Sequence, residues 1–188
     1  MTTKRKLRTK YKTLRESLSE ETIARWSLDI ANRLLELPIW GKNYYHIFLS
    51  IQQQKEVNTG FILHILQGKD KNVIVSKSNF TTISLEHILL TDATKFQINM
   101  YGIPEPTDGV PVAETLIDVV FIPLLAYDIQ GNRVGYGKGF YDLFLQKCRP
   151  DCLKIGLSFF EPEVKIEDTF PGDIPLDYCV TPERVYNY

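Results

Sequence analysis

The stretch from Gly131 to Asp142, GNRVGYGKGFYD, holds the residues best suited to chemistry. Gly135, Gly137 and Gly139 alternate between a buried-strand pattern and a helical one. Glycine lets backbone N–H groups approach a ligand closely and can adopt positive φ. A row of such N–H groups leading into a helix start makes a concave anion site. Arg133 and Lys138 add cationic donors suited to polyphosphate. Asp142 puts a carboxylate beside those phosphates, where a hydrated Mg²⁺ needs an oxygen ligand. The GxGxG spacing is neither the P-loop GxxxxGKS/T nor the dinucleotide GxGxxG. A flexible turn with a basic residue is the plainer alternative. A dinucleotide site is another, with Glu161 after the next strand as its ribose-binding acid, but the glycine spacing disfavours it.

Other chemistries find little support. His46, His64 and His87 stand alone without metal-ligand spacing and read as packing or surface. Cys148, Cys152 and Cys179 form no CxxC and read as small buried hydrophobes in a reducing compartment. No GxSxG elbow supplies a serine nucleophile. The 188 residues carry 22 Lys+Arg against 23 Asp+Glu, so bulk attraction to nucleic acid is not expected and any polyanion site must be a local patch. With 44% hydrophobic residues the chain is no disordered segment. No run approaches the ~20 apolar residues of a membrane span, and MTTKRKLRTKYKTLRES lacks a signal-peptide core. A cytoplasmic protein is expected.

The elements that must position this loop alternate between strand and helix. Leu7, Tyr11, Leu14 and Leu18 make an apolar stripe on a basic helix, whose cations alone read as a solvated face. A second helix, capped by Ser17 with Glu20 or by Ser19, is expected to run to about Leu37. Tyr44–Ser50 reads as a buried strand, Asn58 or Thr59 to Gln67 as a helix, and Asn72–Ser76 as a strand. The region from about Lys77 to Pro111 reads as a β-rich excursion. Leu116–Pro123 is the clearest buried strand; a helix from Phe140 to about Lys147, a strand over Leu153–Phe159 and a short DYCVT strand follow. The alternation predicts one α/β domain over residues 1–188, with a mainly parallel, Rossmann-like sheet flanked by helices. Ligands in such folds gather beyond the C-terminal strand ends, which points to the loops after Ser50 and Pro123.

Read whole, the chain resembles the 5-formyltetrahydrofolate cyclo-ligase (methenyltetrahydrofolate synthetase) family. The resemblance rests on FIPLLAYDIQGNRVGYGKGFYD, similar to the family's strand followed by GxRxGxGxGYYD. Further matches are the opening KRKLR, FLS and EVNT, GIPEP, GLSF and PGDIPLDYCVT, in order across nearly the whole chain. It implies a monomeric ATP- and Mg²⁺-dependent enzyme that closes 5-formyltetrahydrofolate to 5,10-methenyltetrahydrofolate, releasing ADP and phosphate. The formyl oxygen is phosphorylated and N10 then attacks. A non-catalytic nucleotide-binding module that kept the loop is the alternative, and a dinucleotide or sugar-phosphate enzyme is a third reading, on fold analogy alone.

The resemblance also implies roles. Lys4 and Arg8, four apart on one helical face, fold back onto the ATP phosphates. Arg133, Val134, Gly135, Tyr136, Gly137, Lys138, Gly139, Phe140 and Tyr141 wrap ATP, with Arg133 and Lys138 as the catalytic cations. Tyr136 to Phe140 also border the folate, with Leu49, Glu56 and Tyr101. Glu56 suits pterin N–H groups, because a carboxylate accepts paired donors; otherwise it is a surface acid near a helix start. Tyr101 otherwise reads as core packing. Asp142 and Asp173 are the metal-side acids, Asp173 being otherwise a turn residue. The chain departs from the family at Ser76-Lys77, where Pro-Arg is usual, at Phe140, which replaces a tyrosine, and at Tyr136, where some members carry Arg.

Overall fold

Alternating apolar residues divide each central strand between two faces, and a sheet with two buried faces results. The computed structural model describes residues 2–188. In chain order come α1 (Lys4–Glu16), α2 (Glu20–Leu34), β1 (Tyr44–His46), α3 (Gly60–Gly68), β2 (Asn72–Asn79), β3 (Ser84–Leu89), β4 (Phe96–Ile98) and β5 (Pro104–Pro106). Then follow β6 (Val119–Pro123), β7 (Ala126–Tyr127), β8 (Arg133–Val134), α4 (Phe140–Leu145), β9 (Leu153–Leu157), β10 (Tyr178–Val180) and β11 (Val185–Asn187). The main sheet runs β11-β10-β9-β6-β1-β2-β3. Its five inner strands are parallel and both edges antiparallel. The expected flanked, mainly parallel sheet is present. Two hairpins, β4–β5 and β7–β8, stand outside it.

On one face Tyr45, Val73, Val75, Val119, Phe121, Ile155 and Leu157 pack under α2 and α3 through Ile23, Ile30, Leu34, Ile62 and Leu66. On the other, Ile74, Val120 and Ile122 pack against Phe144 and Leu145 of α4. From β1 the chain moves to β2 on one side, and from β6 to β9 and β10 on the other. The order therefore reverses between β1 and β6, and a crevice opens beyond their C-terminal ends.

Several boundaries differ from the sequence expectation. Ser19 caps α2, its side chain accepting from Thr22 N–H, and α2 ends at Leu34, not Leu37. The ladder of β1 stops at His46, because the chain beyond leaves its neighbours to form the site loop. β2 runs on to Asn79, since β3 returns against it through Asn79↔Ser84. Residues 114–116 form a 3-10 turn, so β6 starts at Val119. α4 ends at Leu145 and β9 at Leu157. β11, unforeseen, follows a short turn after β10. The buried stripe of α1 is Leu7, Tyr11 and Arg15, while Leu14 is exposed.

Two of the histidines are buried together. His46 Nε2 and His87 Nδ1 share Ser76 Oγ at 2.7 and 3.0 Å. Tyr141 and Phe144 of α4 cover His46, and Phe144 also covers His87. Glu114 and Lys147 are the charges that face His87. Burial holds His46 well below the ordinary 6.5 and brings His87 to about 4. Between those values and 6.5 the unfolded chain binds more protons than the folded one. Stability is therefore whole above about pH 6.5 and falls as the pH drops toward 4, by about 3 kcal/mol for His87 alone. His87→Gln keeps a partner for Ser76 and does not titrate. Urea unfolding at pH 7 and pH 4.5 is expected to show a smaller acid loss in this variant. Equal losses in both proteins would refute the assignment.

Candidate active site

α1 is docked over the glycine loop by residues on one side of the helix. Thr3 caps it, accepting from Lys6 N–H. Leu7 and Tyr11 sink into a cluster with Leu125, Ala126, Val134 and Ile166. The same side carries Lys4, Arg8 and Arg15 to the loop and the tail. Lys4 Nζ pairs with Asp173 Oδ2, and its backbone N–H donates to Asp168 at 2.7 Å. Arg8 Nε donates to the Gly135 carbonyl at 2.9 Å.

The loop between β8 and α4 keeps its amides free. Among the described residues, no backbone N–H from Gly135 to Tyr141 donates to another group of the chain. Gly137 and Gly139 have φ of +94° and +80°, a region closed to most side chains, and these turns keep the loop open. Lys138 is exposed beside them. The row of amides thus lies beneath the Arg8 guanidinium, which also holds the carbonyl of its first residue, Gly135.

Arg133 is buried and held by two partners. Its Nη2 donates to Asp142 Oδ1 at 2.7 Å, and its Nη1 to the Ile174 carbonyl. Burial lowers its pKa, and Asp142 counters that shift. Asp142 Oδ1 also accepts from Ile174 N–H at 3.1 Å. These bonds fasten the tail onto the loop and bring Asp173 to the same place. Asp173 Oδ2 accepts from Phe170 N–H at 2.7 Å as well as from Lys4. In each carboxylate one oxygen takes these bonds, and the other is left for a hard cation. Among the described residues no cluster of three or more His, Cys, Asp or Glu forms a metal cage. One or two carboxylates completed by phosphate and water suit Mg²⁺, so these residues fit that ion.

The folate-side candidates sit across the crevice. Lys55 holds a left-handed φ of 47°, and its ammonium caps the end of α1 at the Glu16 and Leu18 carbonyls, 2.9 and 2.6 Å away. This turn aims Glu56 inward, where it is only 5% exposed. Its Oε1 accepts from Tyr136 OH at 2.7 Å and its Oε2 from Ile51 N–H at 2.8 Å. Burial pushes the Glu56 carboxyl above the ordinary glutamate value, while the two hydrogen bonds and Arg15 pull it back. Leu49 and Glu56 border a cleft of about 640 Å³ with apolar walls from Ile23, Leu63, Leu90 and Phe96. Tyr141 is covered, and burial and the charge of Glu56 push its pKa up.

Tyr101 is half exposed rather than in the core. Its ring lies 4.2 Å from Phe80, which meets Phe140 edge-on at 5.1 Å. The predicted residues are therefore linked by contacts rather than gathered in one cavity. Lys4 meets Asp173, Arg8 meets Gly135 and Arg133 meets Asp142. Tyr136 ties the loop to Glu56, and Tyr101 reaches Phe140 through Phe80. The cleft that Leu49 and Glu56 border is lined by neither Tyr101 nor the loop. Sequence reasoning missed Phe80 and Arg15. Arg15 continues the Leu7–Tyr11 spacing, and a cation on an apolar stripe was the available signal. Phe80 offered none, since nothing local ties it to Tyr101.

Comparison with known proteins places this geometry among relatives. The model of the 5-formyltetrahydrofolate cyclo-ligase family matches residues 1–182. A probable 5-formyltetrahydrofolate cyclo-ligase of Schizosaccharomyces pombe is 28% identical over 184 residues, 89% of each chain. The 5-formyltetrahydrofolate cyclo-ligase of Haemophilus influenzae is 28% identical over 178 residues, 92% of this chain and 90% of the relative. The solved structure of Aquifex aeolicus 5,10-methenyltetrahydrofolate synthetase superposes with a TM-score of 0.82 at 29% identity, covering 98% of this chain and 92% of that one.

Proposed function

The chain belongs to the 5-formyltetrahydrofolate cyclo-ligase family and shares its enzymatic activity, and we propose that it closes 5-formyltetrahydrofolate to 5,10-methenyltetrahydrofolate by phosphoryl transfer from Mg²⁺-ATP. The observation that carries this reading is the run of free amides from Gly135 to Tyr141, which lies against Arg8 and is tied through Tyr136 to Glu56 on the cleft wall.

The chemical obstacle is the N-formyl oxygen, a poor leaving group. The loop amides, Arg8 and Lys4 hold the triphosphate in line with that oxygen. Glu56 accepts pterin N–H groups, and the apolar cleft walls exclude water. Formyl O–P bond formation breaks the bond to ADP. Arg133 and Lys138 neutralise charge on the transferred phosphoryl group. Asp142, with Asp173 nearby, would hold a Mg²⁺ ion, which would supply charge compensation on the phosphate oxygens. N10 then attacks the activated carbon and loses its proton, and C–O cleavage releases phosphate. The ion pairs Lys4–Asp173 and Arg133–Asp142 keep these four side chains placed for that exchange. Among the described residues no helix is long and apolar enough to cross a membrane; a cytoplasmic monomer is part of the proposal.

Purified protein mixed with 5-formyltetrahydrofolate, ATP and Mg²⁺ is expected to produce methenyltetrahydrofolate absorbance that requires every component. Folded protein that binds ATP in calorimetry yet neither binds the folate nor turns it over would overturn the reading in favour of a nucleotide-binding module.

A further inference from the structure

The geometry points to Arg15 as a positioning residue for folate recognition, holding the Glu56 carboxylate ionised and aligned through the hydroxyl of Tyr136. This inference rests on the folate role proposed above for Glu56. Arg15 is 4% exposed, an unusual place for a guanidinium without a carboxylate in contact. Its Nη2 donates to the Leu124 carbonyl and its Nη1 to Tyr136 OH at 3.0 Å, while Nε is buried without a partner. Tyr136 OH, having accepted from a group that can only donate, gives its own proton to Glu56 Oε1 at 2.7 Å. The phenol therefore works as a one-way connector. Glu56 receives a donor on each oxygen, Tyr136 on one and Ile51 N–H on the other. Its plane is fixed by bonds from two separate segments.

The positive charge matters as much as the alignment. A buried carboxylate is driven toward its neutral form, which donates one proton and so mismatches N–H donors of a ligand. The groups facing Glu56 are Arg15 from α1, Tyr136 and Tyr141 from the loop and α4, and Glu20 and Lys55 on the cleft wall. Lys55 is occupied with the α1 carbonyls. Arg15 is thus the buried cation that opposes protonation, and it acts at a distance through Tyr136.

The test is the pH dependence of 5-formyltetrahydrofolate binding, read by calorimetry without ATP, for wild type, Arg15→Met, Arg15→Lys, Tyr136→Phe and the Arg15→Met/Tyr136→Phe pair. Removing the charge raises the pH at which Glu56 protonates. The weakening of affinity on acidification should then begin about one pH unit higher in Arg15→Met, with Kd at neutral pH raised about tenfold. Arg15→Lys should return the pH limb most of the way, and the double variant should be no worse than the poorer single one. Tyr136→Phe removes a single oxygen and guards against misfolding of the α1 variants. An unmoved pH limb in folded Arg15→Met and Tyr136→Phe, or fully additive losses, would overturn the inference. Absence of folate binding by wild type would instead overturn the function it rests on.

Discussion

Asp142→Ala is expected to lower kcat/KM by about 10³-fold, the scale on which removal of a preorganised electrostatic group acts. The residue serves the loop twice. It is the carboxylate assigned to Mg²⁺, and it compensates buried Arg133 while receiving Ile174 N–H. Removing one partner of a fully buried pair costs ~3–5 kcal/mol, and with the Asp142 side chain 32% exposed about 2 kcal/mol is expected here. That loss lowers the melting temperature by several degrees without unfolding the protein. Asp142→Asn separates the two duties. Its amide oxygen can still accept from Arg133 and Ile174, so the melting temperature should largely recover. The negative charge does not return, so turnover should stay low. Steady-state kinetics over a Mg²⁺ titration, with thermal unfolding of both variants, checks this. Turnover by Asp142→Asn near the wild-type rate would show that the carboxylate only fastens the tail.

The parts of this site that were legible in the sequence are those whose reasons are local. Val119–Pro123 is apolar on both faces, and no solvent-facing strand reads that way. Three alternating glycines are a backbone requirement written into composition. Lys4 and Arg8 share a helix face by spacing alone. Partners were not legible, because they come from far along the chain. Lys4 meets Asp173 across 169 residues, Arg15 meets Tyr136 across 121, and Tyr136 meets Glu56 across 80. Element ends failed for the same reason. β2 continues to Asn79 because β3 pairs with it and Glu105 accepts Ser78 N–H at 2.7 Å, neither of which Asn72–Ser76 announces. Leu14 is apolar and exposed while Arg15 is charged and buried. The α1 stripe was misread there, since a cation with polar partners inside beats a leucine for the inner position.

Gly137→Ala and Gly135→Ala are expected to fail differently, and the difference tests the phosphate cradle directly. At Gly137 φ is +94°, and a Cβ would lie 3.0 Å from Cζ of Arg8. The left-handed backbone costs an alanine about 1–2 kcal/mol. The added methyl also shifts the guanidinium, whose Nε bond to the Gly135 carbonyl holds α1 on the loop. This variant should lose several degrees of thermal stability and raise KM for ATP about tenfold or more, since tenfold is only ~1.4 kcal/mol. At Gly135 an added Cβ would have no atom within 4 Å beyond its own chain neighbours. An alanine there clashes with no other part of the protein, so the melting temperature should hold. If the amide of Gly135 lies against a phosphate oxygen, the methyl occupies that approach, and KM for ATP rises with the fold unchanged. Glycine would then be present at this position for the ligand and at Gly137 for the chain itself. Wild-type KM for ATP in a fully stable Gly135→Ala protein would move the triphosphate off this end of the loop.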